Sequence, residues 1–259
     1  MWVVLFRDTN IAIDFLLVIS YIQGSSDTAG GSSGSPVIIP DGSAVGMVAG
    51  GFMSSIDIYM PLDLPIHVLE ALRSGKAIPR GTVQSSWTLQ KPADCHTRGL
   101  SYEEIQKYSP DGSGLLVAKE ILLNGPSDSL VEESDILLTV NDRIIKSPSH
   151  FEQLMDGAVG KTLKVKAWRH GNTLEYELQV EDLWTITPCR LLQFAGASFQ
   201  DLCYQEALKY HVPAGGVTVA DAEGSFEGLG KTIIRSLDNQ NTSNLDAFIS
   251  VARKIPGKY

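Results

Sequence analysis

Histidine is missing from the front of this chain: all five, His67, His96, His150, His170 and His211, lie beyond residue 66. The residues before them offer no imidazole base. Cysteine is nearly as scarce. Cys95, Cys189 and Cys203 are odd in number and far apart, which argues against a disulfide framework or a zinc site and fits free thiols in a reducing compartment. Positive charge is also short: the net charge is -9 with no Lys/Arg cluster, so no surface is suited to neutralising phosphates. No glycine loop of the phosphate-binding kind opens a helix, and no metal or organic cofactor is implied. Long apolar runs are absent from the first twenty residues, where Arg7, Asp8 and Asp14 intervene. The uncharged run after Asp14 falls well short of the roughly eighteen residues a membrane span needs. An aspartate inside the apolar stretch likewise argues against a signal peptide. Residues 1–20 are left as a β-strand pair abutting the segment that follows, or as a start unrelated to the rest.

What the chain does have is Gly30-Gly31-Ser32-Ser33-Gly34-Ser35-Pro36-Val37. A nucleophilic serine must sit on a tight turn whose amides converge where an oxyanion forms. Gly31 and Gly34 permit positive φ and close approach of a substrate backbone, while Pro36 stops the turn from relaxing into a regular ladder. Ser33 is the candidate nucleophile, and the Gly31 and Ser33 amides, with Ser32 between them, form the candidate oxyanion hole. The alternative is a flexible Gly/Ser linker. A linker would not lead directly into apolar strands, and this segment does: Val37-Ile38-Ile39, an Asp41-Gly42 turn and residues 44–51 spell a β-hairpin. Ala49, Gly50 and Gly51 would leave one wall of a specificity pocket open. Asp27, six positions before Ser33, is either the acidic base of such a pocket, favouring Lys or Arg, or part of a solvated loop. Residues 61–65 read as a turn and residues 66–72 as a closing helix.

These features, with Tyr21-Ile22-Gln23 and Pro61-Leu62-Asp63, resemble the HtrA (DegP-like) serine proteases, and the Gly-Gly-Ser-Ser spelling resembles their fungal nuclear branch. The resemblance runs from about residue 21 to residue 259. It implies a trypsin-like serine endopeptidase, nuclear, linked to stress or apoptosis, oligomeric through its protease domains, and carrying PDZ domains. In that fold the triad His and Asp precede the serine. No histidine precedes Ser33 here, and His67 reads as an ordinary residue of the closing helix. A serine without a positioned base is a poor nucleophile, so the polypeptide by itself is expected not to hydrolyse peptides. Residues 21–79 would supply only the last strands of the second barrel, with exposed edges and apolar faces.

From about residue 80 the chain repeats with a period of roughly one hundred residues. The first copy reads as a strand over 82–89, a helix over 102–108 and a glycine turn feeding a strand over 112–117. The second reads as 192–199, 199–210 and 214–219 in the same order. Strands at 135–142 and 232–239 follow, then helices at 149–155 and 244–254 that align at Phe151 and Phe248. This order resembles the circularly permuted PDZ domain of HtrA proteases. A C-terminal carboxylate needs converging amides, and an exposed strand edge accepts a peptide by β-augmentation. The candidate carboxylate loops are Gly112, Ser113, Gly114 and Leu115 in the first copy and Ala214, Gly215, Gly216 and Val217 in the second; plain β-turns are the alternative. Leu116, Phe151 and Leu154 are either peptide-reading or core. The first copy ends in a closing hairpin at 162–180, and the second stops where its counterpart would begin.

The expected architecture is mainly β with α: a partial chymotrypsin-like β-barrel followed by two PDZ-like α+β domains. The boundaries are residues 1–20 unassigned, 21–79 a protease remnant, 80–184 the first PDZ-like domain and 185–259 the second, truncated at its hairpin. The partners implied are protein or peptide substrates and C-terminal peptides, with no nucleic acid and no membrane. Two functions remain open, a serine endopeptidase of the HtrA type and a non-catalytic PDZ peptide-binding protein.

Overall fold

A computed structural model of the chain describes residues 3–6, 22–24, 31–52, 56–222 and 226–255. It is a mixed α/β architecture with a strand-rich core. The first strand, β1 (Val3–Phe6), does not abut the neighbouring sheet as expected from the sequence. It pairs far downstream, as described below.

Strands β2 (Ile22–Gly24), β3 (Pro36–Ile38), β4 (Ala44–Phe52) and β5 (Ile56–Pro61) form an antiparallel sheet in the order β2-β5-β4-β3. The β3–β4 hairpin falls where Asp41-Gly42 placed it: the Asp41 carboxylate accepts from the Ser43 amide at 2.8 Å, and Gly42 takes φ 86°. Among the described residues this sheet is open, with β2 and β3 as edges. Ile22, Ile38, Ile39 and Val45 are exposed on it. Helix α1 (Asp63–Arg73) follows and begins three residues earlier than the sequence pattern suggested. Pro65 lies in its first turn, where a missing amide costs nothing.

The second region holds β6 (Gly81–Thr82), β7 (Ser85–Gln90), α2 (Pro92–Thr97), α3 (Tyr102–Tyr108), β8 (Leu115–Ile121), β9 (Ile136–Val140), β10 (Arg143–Ile144), α4 (Pro148–Asp156), β11 (Thr162–Arg169), β12 (Asn172–Gln179), β13 (Glu181–Asp182) and α5 (Leu183–Ile186). Its main sheet runs β12-β11-β9-β8-β7. Strand β8 is apolar at successive positions because both of its faces are covered. Leu115 and Val117 join the cluster under α2 and α3, whereas Leu116 and Ala118 join the cluster under α4. Burying each such side chain stabilises by about 1.5–3 kcal/mol before entropy is counted. Two of the helices start on side-chain caps, Ser101 with Glu104 as a capping box for α3 and Ser147 before Pro148 for α4. Leu116 and Phe151 are each 2% exposed and therefore core; Leu154 is half-buried.

The third region holds β14 (Arg190–Phe194), β15 (Ala197–Asp201), α6 (Tyr204–Lys209), β16 (Val217–Ala222), β17 (Ile233–Ile234), β18 (Ser236–Leu237), β19 (Gln240–Asn241) and α7 (Leu245–Ala252). Its sheet runs β1-β14-β15-β16-β17. The single strand expected over 192–199 is instead a hairpin turning at Ala195-Gly196, and the helix expected over 199–210 is confined to α6. Phe199 and Phe248 stack at 4.8 Å in the core. Leu122 and Leu183 of the second region share a cluster with Leu202, Tyr204, Ala207 and Leu208 of the third, so the two pack directly together.

Candidate functional site

The turn at Ser33 is set by its glycines. The Ser35 amide donates to the Ser32 carbonyl at 3.0 Å and Gly34 takes φ 84°, which is a type II turn with glycine at the position that demands positive φ. Two bonds tie the turn to β4: the Gly34 amide donates to the Val48 carbonyl at 2.7 Å, and the Val48 amide to the Ser35 carbonyl at 2.9 Å. Ser33 is exposed at the tip. Among the described residues no backbone acceptor is bonded to the Gly31 or Ser33 amide. Ala49 is the extra residue of a bulge between Val48 and Gly50, and a Cβ at Gly50 would meet nothing within 4 Å. Gly51 continues β4 opposite Asp57. Asp27 lies outside the described residues.

His67 lies in α1. It lies close enough to Asp156, at the end of α4, to favour that carboxylate's charge. Asp156 is buried, as is its ion-pair partner Arg80 at 3.0 Å, and its other oxygen accepts from the Gly81 amide at 2.8 Å. Burial pushes the Asp156 carboxyl above the ordinary range, against the pull of Arg80. This pair, which the sequence reading missed, fastens the entry to β7 onto α4. A buried aspartate with an arginine 76 positions away leaves no local signal in a sequence.

Both candidate carboxylate loops are braced by hydrogen bonds from their own chain. The Gly112 amide donates to the Ser109 carbonyl, Ser113 to the Asp111 carboxylate and Gly114 to the Ser109 hydroxyl, each at 3.0 Å. The hydrogen bonds from Ser113 hold the exposed Asp111 carboxyl below its usual range. Gly114, at φ 108°, is required there because any Cβ would collide with the Gln90 carbonyl. Leu115 enters β8 opposite Gln90. In the third region the Gly216 amide donates to the Ser243 carbonyl at 2.7 Å, and Arg235 donates to the Gly215 and Pro213 carbonyls. Ala214 precedes this turn and Val217 opens β16. In the first loop three successive amides, those of Gly112, Ser113 and Gly114, are engaged within the loop, and in the second the Gly216 amide is engaged by the Ser243 carbonyl. The unpaired backbone lies elsewhere: among the described residues β7 ends its sheet, beside α4 and with Trp87 edge-on to Phe151 at 5.8 Å. Sheet order, which only the tertiary fold decides, identifies that edge.

No helix among the described residues is long and apolar enough to cross a membrane, and no group of His, Cys, Asp and Glu among them could hold a metal ion.

Over most of its length the chain matches the HtrA-type serine proteases with PDZ domains. Residues 185–258 match the family model described as a PDZ-like domain. The chain is 42% identical over 250 residues to the pro-apoptotic serine protease NMA111 of Phaeosphaeria nodorum, covering 92% of this chain and 25% of that protein. It is 40% identical over 247 residues to the pro-apoptotic serine protease nma111 of Aspergillus fumigatus, covering 92% and 24%. It thus spans about a quarter of the length of these curated relatives. Among solved structures it is similar to the HtrA-type protease AlgW with a tripeptide, at a TM-score of 0.42 and 16% identity, over 68% of this chain and 56% of that one.

Proposed function

We propose that this chain is a peptide-docking portion of a nuclear HtrA-type serine endopeptidase, with Ser33 as the nucleophile of its protease unit. In this reading residues 21–79 are the closing strands and helix of a trypsin-like barrel, and residues 80–184 are a PDZ-like domain ahead of the one at 185–258. The Gly31 and Ser33 amides form the oxyanion hole, and Ala49, Gly50 and Gly51 the open pocket wall. An acidic Asp27 at the pocket base would direct cleavage after Lys or Arg. Substrate docks at the first PDZ-like unit by adding a strand to β7. Every strand pairing in that sheet is antiparallel, so an antiparallel peptide would end beside residues 81–84, where β7 begins. The single observation that carries this reading is the unpaired edge of β7 next to α4.

Two outcomes test it. A fluorophosphonate probe is expected to leave Ser33 unlabelled in the isolated chain, because all five histidines follow it in the sequence, whereas the trypsin-like order puts the base before the serine; stoichiometric labelling would overturn that. Peptides with free apolar C termini are expected to slow amide exchange in β7, and unchanged β7 exchange at saturating peptide would refute docking there.

The second reading, a non-catalytic peptide-binding protein, draws on the lack of any histidine before Ser33 in this sequence.

A further inference from the structure

The second and third regions place matching elements side by side. In each, a strand lies beside a capped helix, β7 by α4 and β15 by α7. Ser147 caps α4 through the His150 amide, and Asn244 caps α7 through the Ala247 amide. Each strand then pairs antiparallel with the next, β8 or β16. By this order β15 stands where β7 stands. Their outer edges differ. β7 ends its sheet, whereas β15 is covered by β14 with the register Leu192↔Phe199, Gln193↔Ser198 and Phe194↔Ala197.

Several features hold β14 in place. The loop to β15 is only Ala195 and Gly196, at φ 51° and 85°, the two positive values that a type I′ hairpin requires. Leu192 is fully buried in the cluster with Phe199 and Phe248. The Arg190 guanidinium forks onto the Asp246 carboxylate in the first turn of α7, at 2.8 and 3.0 Å, with Asp201 at 3.7 Å. Each of these ties β14 to the two elements that flank the corresponding edge in the second region.

We propose that β14 is a built-in occupant of the strand-addition edge of the third region, and that a free peptide is therefore accepted only by the second. A segment tethered by a two-residue turn has an effective concentration beyond that of any free competitor. The matching fork of Arg190 on Asp246 adds a directional anchor at the helix end of the groove. The outer edge of β14 is in turn taken by β1, from Val3↔Gln193 to Phe6↔Arg190. The proposal rests on reading the β7 edge as peptide-accepting, and its test separates the two.

Amide exchange is to be followed residue by residue in the full chain, with and without the free pentapeptide Arg-Leu-Leu-Gln-Phe, a copy of β14. In a two-residue hairpin the residues flanking the loop exchange hydrogen bonds, so the Ala197 and Phe199 amides face β14. Without peptide they are expected to exchange at least about tenfold more slowly than the outward amides of β7. Peptide is expected to slow β7 and leave β15 unchanged. Arg190→Ala, and separately Leu192→Ala, should speed β15 exchange several-fold and let the peptide slow it again. Open-edge exchange at Ala197 and Phe199 in the native chain would overturn the proposal, as would protection of β15 by the peptide without a variant. Failure of both variants to alter β15 would overturn it too. Unchanged β7 exchange with a protected β15 would refute the docking reading alone.

Discussion

Asp156→Leu is expected to destabilise the second region by about 3–5 kcal/mol, because it removes the buried carboxylate that faces the buried Arg80 charge. The Gly81 amide loses its acceptor in the same step. The pair itself is not a strong source of stability. Burial outweighs Arg80 in setting the Asp156 proton affinity, which is raised in the folded state. Raised affinity means that the folded state holds the proton more tightly than the unfolded one. The Asp156 contribution is accordingly present below the ordinary carboxylate range and lost as pH rises through the raised value. Replacing both partners, Arg80→Met with Asp156→Leu, should recover most of the lost stability and flatten that pH limb relative to the native chain. Urea unfolding at several pH values checks both statements. A double variant no more stable than Asp156→Leu would show that the pair contributes a specific contact which apolar packing cannot replace.

Phe248→Ala is expected to cost about 3–5 kcal/mol, the range for emptying an aromatic site in a packed core. Phe248 is fully buried against Phe199, within a cluster that includes Leu192, Val217, Val219, Leu245 and Ala252. Losing it removes the contact through which α7 is held on its sheet, and the stacking of the two rings adds to the penalty. A sheet of short strands has little surplus against such a loss; β17 has only two residues. The expected signature is loss of amide protection from β14 through α7 while β8, β9 and β11 stay protected by their own two clusters. Loss of protection throughout the chain would instead show that the cluster joining Leu122 and Leu183 to Leu202, Ala207 and Leu208 makes the two regions one cooperative unit.

The turn at Ser33 and the hairpin after it were legible because their chemistry is local. Gly34 supplies the positive φ of a type II turn, and Asp41-Gly42 turns the hairpin, whatever surrounds them. The caps at Ser101, Ser147 and Asn244, which the sequence reading did not name, are equally local, each accepting from an amide three residues on. The glycine loop before β8 shows what composition leaves open. Its composition suited an anion nest, yet Asp111 and Ser109 are near enough to use its amides. The strand expected over 192–199 failed because Ala195-Gly196 is an inconspicuous turn signal, closed only once β14 finds Phe199 and Phe248 to pack on.

The sequence by itself determined the glycine turn at Ser33, the hairpin after it and the resemblance to HtrA-type serine proteases, since these depend on neighbours in the chain and on similarity of spelling. Tertiary structure alone decided which strand edge is free. β7 and β15 hold corresponding places in element order, but β14 pairs along one of them and no described strand covers the other. It also decided that Arg80 meets Asp156 and that His67 lies close enough to act on that carboxylate. Those are contacts between residues far apart in the chain, fixed by how sheets and helices stack, and no local pattern encodes them.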